Sequence, residues 1–310
     1  MSNTEASVTP ERILQFVWAF APPLAIEAAI HHRVFDVLEK QPLALAELAQ
    51  ATGASARGLS AIADLLVGFA LLTRDDDGRY ALAPESDAFL VSYKPSFMGG
   101  IFRHMSSQLL PNWLHLSDIV GSGNPATAVN SAAEGASFFA EFVEDILPLS
   151  YPSARILADA LNLAEATGPV SVLDLASGSG VWGIALAQAS PHVTVRAVDW
   201  PDVLPVTRRV AERFGVGPQF TMVGGDLLQA DFGNSHQVAT LGHILHSEGI
   251  ERSRALLRRT HAALAPGGTI AIAEFLVDAD RRGPLNGLIF AVRRPGSPIH
   301  GSCQVLALRR

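Results

Sequence analysis

Glycine and aspartate fall together at one place in this 310-residue chain in a pattern that can do chemistry. In V-S-V-L-D-L-A-S-G-S-G-V-W-G-I-A-L-A, from Val170 to Ala187, a strand-like apolar run ends at Leu175 and a helical run starts after Gly180. Gly178 and Gly180 let backbone come close to a ligand and expose amide N–H groups at a helix N-terminus, where negative or polar groups are favoured. About twenty residues on, Asp199 ends the next strand-like run, where a carboxylate can accept hydrogen bonds from ribose hydroxyls. The direct reading is a nucleoside-containing cofactor. Gly178, Gly180 and Gly183 also spell G-x-G-x-x-G, the dinucleotide fingerprint, which is weak by itself. Asp174 at the end of the first strand, where dinucleotide folds usually carry apolar residues, tilts the reading from NAD toward a methyl donor. So does a site that opens more than halfway along the chain.

These residues need elements to hold them. From Val170 onward, strand-like runs (Val170–Leu175, Val193–Val198, Gln237–Leu241, Thr269–Glu274) alternate with helical ones, which predicts a doubly wound, Rossmann-like α/β domain over residues 167–291. Upstream, apolar residues recur at helical spacing from Glu11 to about Ala70. Leu43 to Gly53 reads as a short helix, and Ser55 can cap a second that runs to about Leu71. Asp77 and Gly78 then mark a hairpin turn between strands Leu71–Arg74 and Arg79–Leu82. Helices with a two-stranded wing predict a winged-helix module over residues 1–94. A helical connector over 95–166, broken by the loop Gly121–Pro125, joins the two modules.

Composition narrows the function. Hydrophobic residues make up 48% and charged residues 17%, too apolar for a disordered chain. The net charge of −7 argues against binding a phosphate backbone. The helix after Ser55 carries one arginine and one aspartate, so it suits a dimer interface better than a DNA groove. Gln15, Glu27, Pro22 and Pro23 interrupt the most apolar stretch, Ile13–Ile30, making it a poor membrane span. A single cysteine, Cys303, and no leader before Glu11 point to a reducing cytoplasm. His243 and His246 lack the carboxylate or cysteine set that a metal site needs.

The ordered motifs resemble the class I S-adenosylmethionine-dependent O-methyltransferases with an N-terminal winged-helix dimerisation domain. Hydroxyindole, caffeic acid and bacterial polyketide O-methyltransferases belong to this family. D-L-A-S-G-S-G is similar to its D-x-G-x-G-x-G loop, with Ala176 in place of the first glycine. The resemblance implies S-adenosyl-L-methionine as cofactor, held by Asp174, Ala176, Gly178, Gly180, Asp199 and Gly242. V-D-W-P makes Trp200 an adenine neighbour, and G-G-D-L-L places Asp226 and Leu227 beside the adenine. L-G-H-I-L-H-S-E resembles the segment carrying the catalytic base, which becomes His246, and A-P-G-G-T-I-A-I-A-E puts Glu274 where an acid orients that base. Two departures stand out: Ser247 replaces an acid or histidine, and Glu248 replaces an aromatic residue that packs on adenine.

The function implied is methyl transfer to a hydroxyl of a small aromatic or polyketide-like secondary metabolite, by a homodimer without nucleic-acid or membrane partners. By base rate His243, His236 and His261 are structural. The aromatic and methionine residues between Phe97 and Phe142, including Phe138 and Phe139, divide between core and acceptor pocket. No family motif is legible after Ala291, and every charged side chain from Arg281 to Arg310 is an arginine. This atypical tail, 292–310, suggests a truncated or altered end that leaves a sheet edge uncovered and activity impaired. A cofactor-binding but impaired homologue, a winged-helix regulator and, less favoured, an NAD-dependent oxidoreductase remain the alternatives.

Overall fold

The apolar run near the start of the chain forms two helices, α1 (Glu11–Val17) and α2 (Ala21–His31), broken at Trp18–Phe20 just ahead of Pro22 and Pro23. The structure, a computed structural model, describes residues 8–123, 139–140 and 142–292, and the backbone of 301–309. Two compact units divide the chain, Met1–Leu109 and Leu110–Arg310. The stretch read as a connector, 95–166, is divided between them, with 95–109 in the first unit and 110–166 in the second. In α1 no residue is buried, and Ile13, Leu14, Phe16, Trp18 and Phe20 are each more than half exposed. Glu11–His31 is long and apolar enough to cross a membrane by length and composition, despite its prolines.

The rest of the first unit follows its local signals. Helix α3 (Val34–Leu38) precedes α4 (Leu45–Thr52), which Gly53 closes in the left-handed region, and the Ser55 hydroxyl accepts the Gly58 amide at the start of α5 (Ala56–Gly68). Helix α5 stops short of Leu71. Ala70 turns left-handed and the Leu71 amide reaches back to the Leu66 carbonyl at 2.9 Å, closing the helix with a local Schellman turn in which alanine stands where glycine is usual. Strands β1 (Leu72–Arg74) and β2 (Tyr80–Leu82) make the antiparallel wing, followed by α6 (Pro84–Phe89) and α7 (Gly100–His104). Phe35, Leu48, Leu66, Leu72 and Val91 form the centre of this unit's core. Asp36 is buried among them and satisfied, taking the amide of Ser92 at 2.7 Å and its hydroxyl at 2.8 Å.

In the second unit, α8 (Leu110–Trp113), α9 (Leu116–Ser122) and α10 (Leu147–Ala160) precede the sheet. Its strands are β3 (Val170–Leu175), β4 (Val193–Asp199), β5 (Phe220–Gly224), β6 (His236–Gly242), β7 (Leu264–Leu276) and β8 (Gly301–Arg309). They lie in the order β5-β4-β3-β6-β7-β8, and all are parallel except the last. Helices α11 (Val181–Ala189), α12 (Leu204–Arg213), α13 (Leu245–Ala263) and α14 (Leu285–Val292) complete the unit. The strand order reverses between β3 and β6, so ligands are expected at the carboxyl ends of these strands.

Val172, Val195 and Val238 of the sheet, with Ile184 and Leu186 of α11 and Leu157 of α10, share one core. The expected doubly wound sheet is present, with strand limits within two residues of expectation except for the longer β7. The uncovered edge expected from the altered tail does not fall at β7. β8 pairs antiparallel along β7 from Thr269↔Arg309 to Leu276↔Gly301, because strand pairing uses backbone groups and the apolar run Val305–Leu308 suffices among arginines. Residues 293–300 of the tail, Asn124 and Pro125 of the connector loop, and Phe138 lie outside the described residues.

Candidate active site

At the carboxyl ends of β3, β4 and β6 the second unit holds a cavity. The turn after β3 forms one wall. Ala176, Gly178 and Gly180 all take left-handed backbone there (φ 52, 54 and 79), and the Gly178 amide donates to Asp199 Oδ2 at 2.7 Å. The other Asp199 oxygen accepts the Trp200 amide at 2.7 Å. Burial raises the Asp199 carboxyl to about 6 although both amides pull it down. Thus Asp199 is fixed in place by backbone donors, with lone pairs left over for ligand hydroxyls. Of the residues expected at the cofactor, Ala176, Gly178, Asp199, Trp200, Leu227 and Gly242 line the cavity.

Three other expected cofactor residues do not line it. Asp174 is fully buried beneath the turn, where its carboxylate accepts the Gly183 amide at 3.1 Å and the Thr240 hydroxyl at 2.6 Å. It tethers the turn and α11 to β6. Burial pushes its carboxyl up to about 7, against the pull of those two hydrogen bonds. Gly180 serves the turn, since a Cβ there meets Thr207 Cγ2 at 3.0 Å. Asp226 faces Arg252 Nη2 at 2.8 Å and the Leu228 amide at 2.8 Å. Both acids are drawn off by protein partners that no linear motif reveals.

The expected base and its acid do meet. His246 Nδ1 lies 2.9 Å from Glu274 Oε2, and the His246 amide donates to Oε1 at 3.1 Å, so one carboxylate grips both ring and backbone. Burial raises the Glu274 carboxyl, but its bonds to the His246 ring outweigh burial and leave it below the ordinary range. A carboxylate at Nδ1 places the proton there and makes Nε2 the basic nitrogen. Phe290 packs edge-on against the His246 ring at 4.9 Å and stacks on Phe275 at 4.3 Å. Neither His246 nor Glu274 lines the cavity itself.

His243, read as structural from sequence, does line the cavity, on left-handed backbone (φ 58) between Trp182 and Phe275. Burial lowers its pKa, so its ring is neutral near pH 7. Phe139 and Phe142, from the stretch read as divided between core and acceptor pocket, line the cavity, as do Trp182, Glu248 and Arg252, which were not named as site residues. Acid and arginine at i and i+4 on one helix were the available signal for the last two. Gly242 is required by contact: a Cβ there would sit 2.0 Å from Trp182 Nε1. His236 is structural, bridging the Ser171 hydroxyl and the Phe232 carbonyl. Among the described residues no group of three or more potential metal ligands gathers.

Comparison with known proteins decides the class of chemistry. The O-methyltransferase dimerisation domain matches residues 14–92, and the O-methyltransferase domain matches residues 113–294. The chain belongs to the O-methyltransferase family. S-adenosyl-L-methionine is its cofactor, and the family methylates small aromatic and polyketide metabolites. Among its relatives, the tetracenomycin polyketide synthesis 8-O-methyl transferase TcmO of Streptomyces glaucescens is 29% identical over 277 residues, 88% of this chain and 80% of that protein. The 3-hydroxy-5-methyl-1-naphthoate 3-O-methyltransferase of Streptomyces sahachiroi is 26% identical over 272 residues, 86% of this chain and 77% of that one. Human N-acetylserotonin methyltransferase, solved with its methyl donor, shares the fold with a TM-score of 0.80 at 23% identity, covering 97% of this chain and 90% of that one.

The residues of this O-methyltransferase fit that cofactor. A backbone amide turn, a fixed carboxylate at ribose position and apolar walls from Trp200 and Leu227 match the parts of an adenosyl group. When bound, the cofactor supplies an electrophilic methyl group on a sulfonium.

Proposed function

We propose that this O-methyltransferase methylates a hydroxyl of a small aromatic or polyketide-like secondary metabolite, with His246 as general base and Glu274 as its positioning acid. The His246–Glu274 pair carries this reading. In-line displacement needs an acceptor oxygen aligned and relieved of its proton. His246 Nε2 takes that proton, and the Glu274 carboxylate stabilises the imidazolium that results. Asp199 and the β3–α11 turn hold the adenosyl ribose, while Trp200 and Leu227 flank the base. The enzyme is active in this reading, and the pairing of β8 with β7 from Thr269 to Leu276 supports it.

The working form is a homodimer in the cytoplasm. A dimerisation domain and the uncovered apolar side chains of α1 support the dimer, and the lone Cys303 supports the compartment.

The test is single-turnover methylation of hydroxylated naphthoates and polyketide aromatics, with matched aryl amines beside them because one relative, OxyT of Streptomyces rimosus, is an N,N-dimethyltransferase. Transfer to oxygen is expected. Transfer to nitrogen alone, or to neither, overturns the proposal. Sedimentation of a chain lacking residues 1–20 tests the dimer: a monomer or an aggregate is expected, and a soluble dimer refutes the interface.

A further inference from the structure

Glu248 lies in the cavity wall with its side chain only 7% exposed, where a carboxylate is costly unless paired. Its Oε2 meets Arg252 Nε at 2.6 Å, and the same guanidinium reaches Asp226 Oδ2 at 2.8 Å. One cation thus serves two acids, and the trio keeps an excess negative charge. Asp226 is further occupied by the Leu228 amide and does not line the cavity. Among the described residues, Oε1 of Glu248 makes no hydrogen bond. Trp200, Gly225 and Leu227 line the cavity as well, and Asp199 with them.

A purine base offers apolar faces and polar edges. At C6 adenine carries an exocyclic amine with two N–H donors; hypoxanthine has an oxygen acceptor in its place and an N1–H donor beside it. A carboxylate held at the exocyclic group, and not at N1, favours the donor and repels the acceptor.

We propose that Glu248, braced by Arg252, reads the base of the cofactor. Its Oε1 accepts a hydrogen bond from the exocyclic amine of adenine. Asp226, the acid to which the G-G-D-L-L motif points, acts one step back as the residue that positions Arg252.

The test is calorimetric binding of S-adenosyl-L-homocysteine and S-inosyl-L-homocysteine, which differ only at C6 and N1. The native chain is expected to prefer the adenosyl ligand by about tenfold or more. In Glu248→Gln the preference should fall below about threefold, because an amide can turn to serve either base. Asp226→Asn should keep most of it. Equal binding by the native chain, or a full preference retained in Glu248→Gln, overturns the proposal, and a preference lost only in Asp226→Asn assigns the reading to Asp226 instead. Should Glu248→Gln fail to fold by circular dichroism, Glu248→Asp keeps the charge and withdraws it by one methylene. A full preference in that variant also overturns the proposal.

Discussion

On the wall of the cavity made by the β3–α11 turn and the end of β4, the polar anchors are backbone amides gripping the carboxylates of Asp174 and Asp199. Around the start of α13 the anchors are side chains delivered from distant parts of the chain: Glu274 of β7 to His246 across 28 residues, and Asp226 of the turn after β5 to Arg252 across 26. The first arrangement depends mainly on chain conformation, with the Thr240 hydroxyl of β6 the one side chain that joins it, at Asp174. The second depends on charge identity. Retention of the cofactor should therefore depend mainly on the turn, while proton transfer and the choice of base should depend on α13.

The largest expected effect separates the two. His246→Ala should slow methyl transfer by about 10²- to 10⁴-fold, the range of general-base catalysis. Affinity for S-adenosyl-L-homocysteine should stay within about twofold. A parallel loss of both would show that the walls are not independent.

Next is the turn side. Asp199→Ala should weaken cofactor binding by about 1–3 kcal/mol, the cost of a charge-assisted hydrogen bond. Unchanged affinity by calorimetry would mean that the ribose is held elsewhere. A smaller effect, on stability, is expected from Gly180→Ala, which forces a side chain into left-handed backbone at φ 79 and 3.0 Å from Thr207 Cγ2. A loss of about 1–2 kcal/mol in urea unfolding is expected. No shift in the midpoint would remove conformation as the basis of that wall.

The smallest effect is a slope. The Asp174 carboxyl lies near 7 in the folded chain against an ordinary 3.8. The folded state therefore binds the proton more tightly, and its stabilising contribution, full below the ordinary value, is lost as pH rises through about 7. Asp174→Asn can keep both the Gly183 and Thr240 contacts without titrating. Its melting temperature should fall less than that of the native chain between pH 5 and 8 (about three pH units). Equal slopes would refute this account of Asp174.

Much of the framework was legible because its causes are local. Ser55, Gly53 and the wing turn mark their elements by cap and turn chemistry, and the strands of the sheet show as apolar runs. The glycine turn and Asp199 were legible for the same reason, since strand, turn and helix follow one another in the chain. The end of α5 was misplaced because Ala70 adopts a backbone geometry that its residue type disfavours. β8 was hidden because pairing along β7 is made by backbone groups that composition does not display.

The sequence by itself determined the elements, their order and the presence of a glycine turn followed by an acid, all set by neighbours along the chain. It also carried His246 and Glu274, though only as members of motifs. Tertiary structure alone decided which acids face the cavity and which are consumed inside the protein. Asp174 is held by Gly183 and Thr240, Asp226 is turned toward Arg252, and Glu248 is left in the wall. The reason is that a buried carboxylate goes to whichever donors the packed strands bring within about 3 Å, and those donors come from parts of the chain that meet only when the sheet has formed.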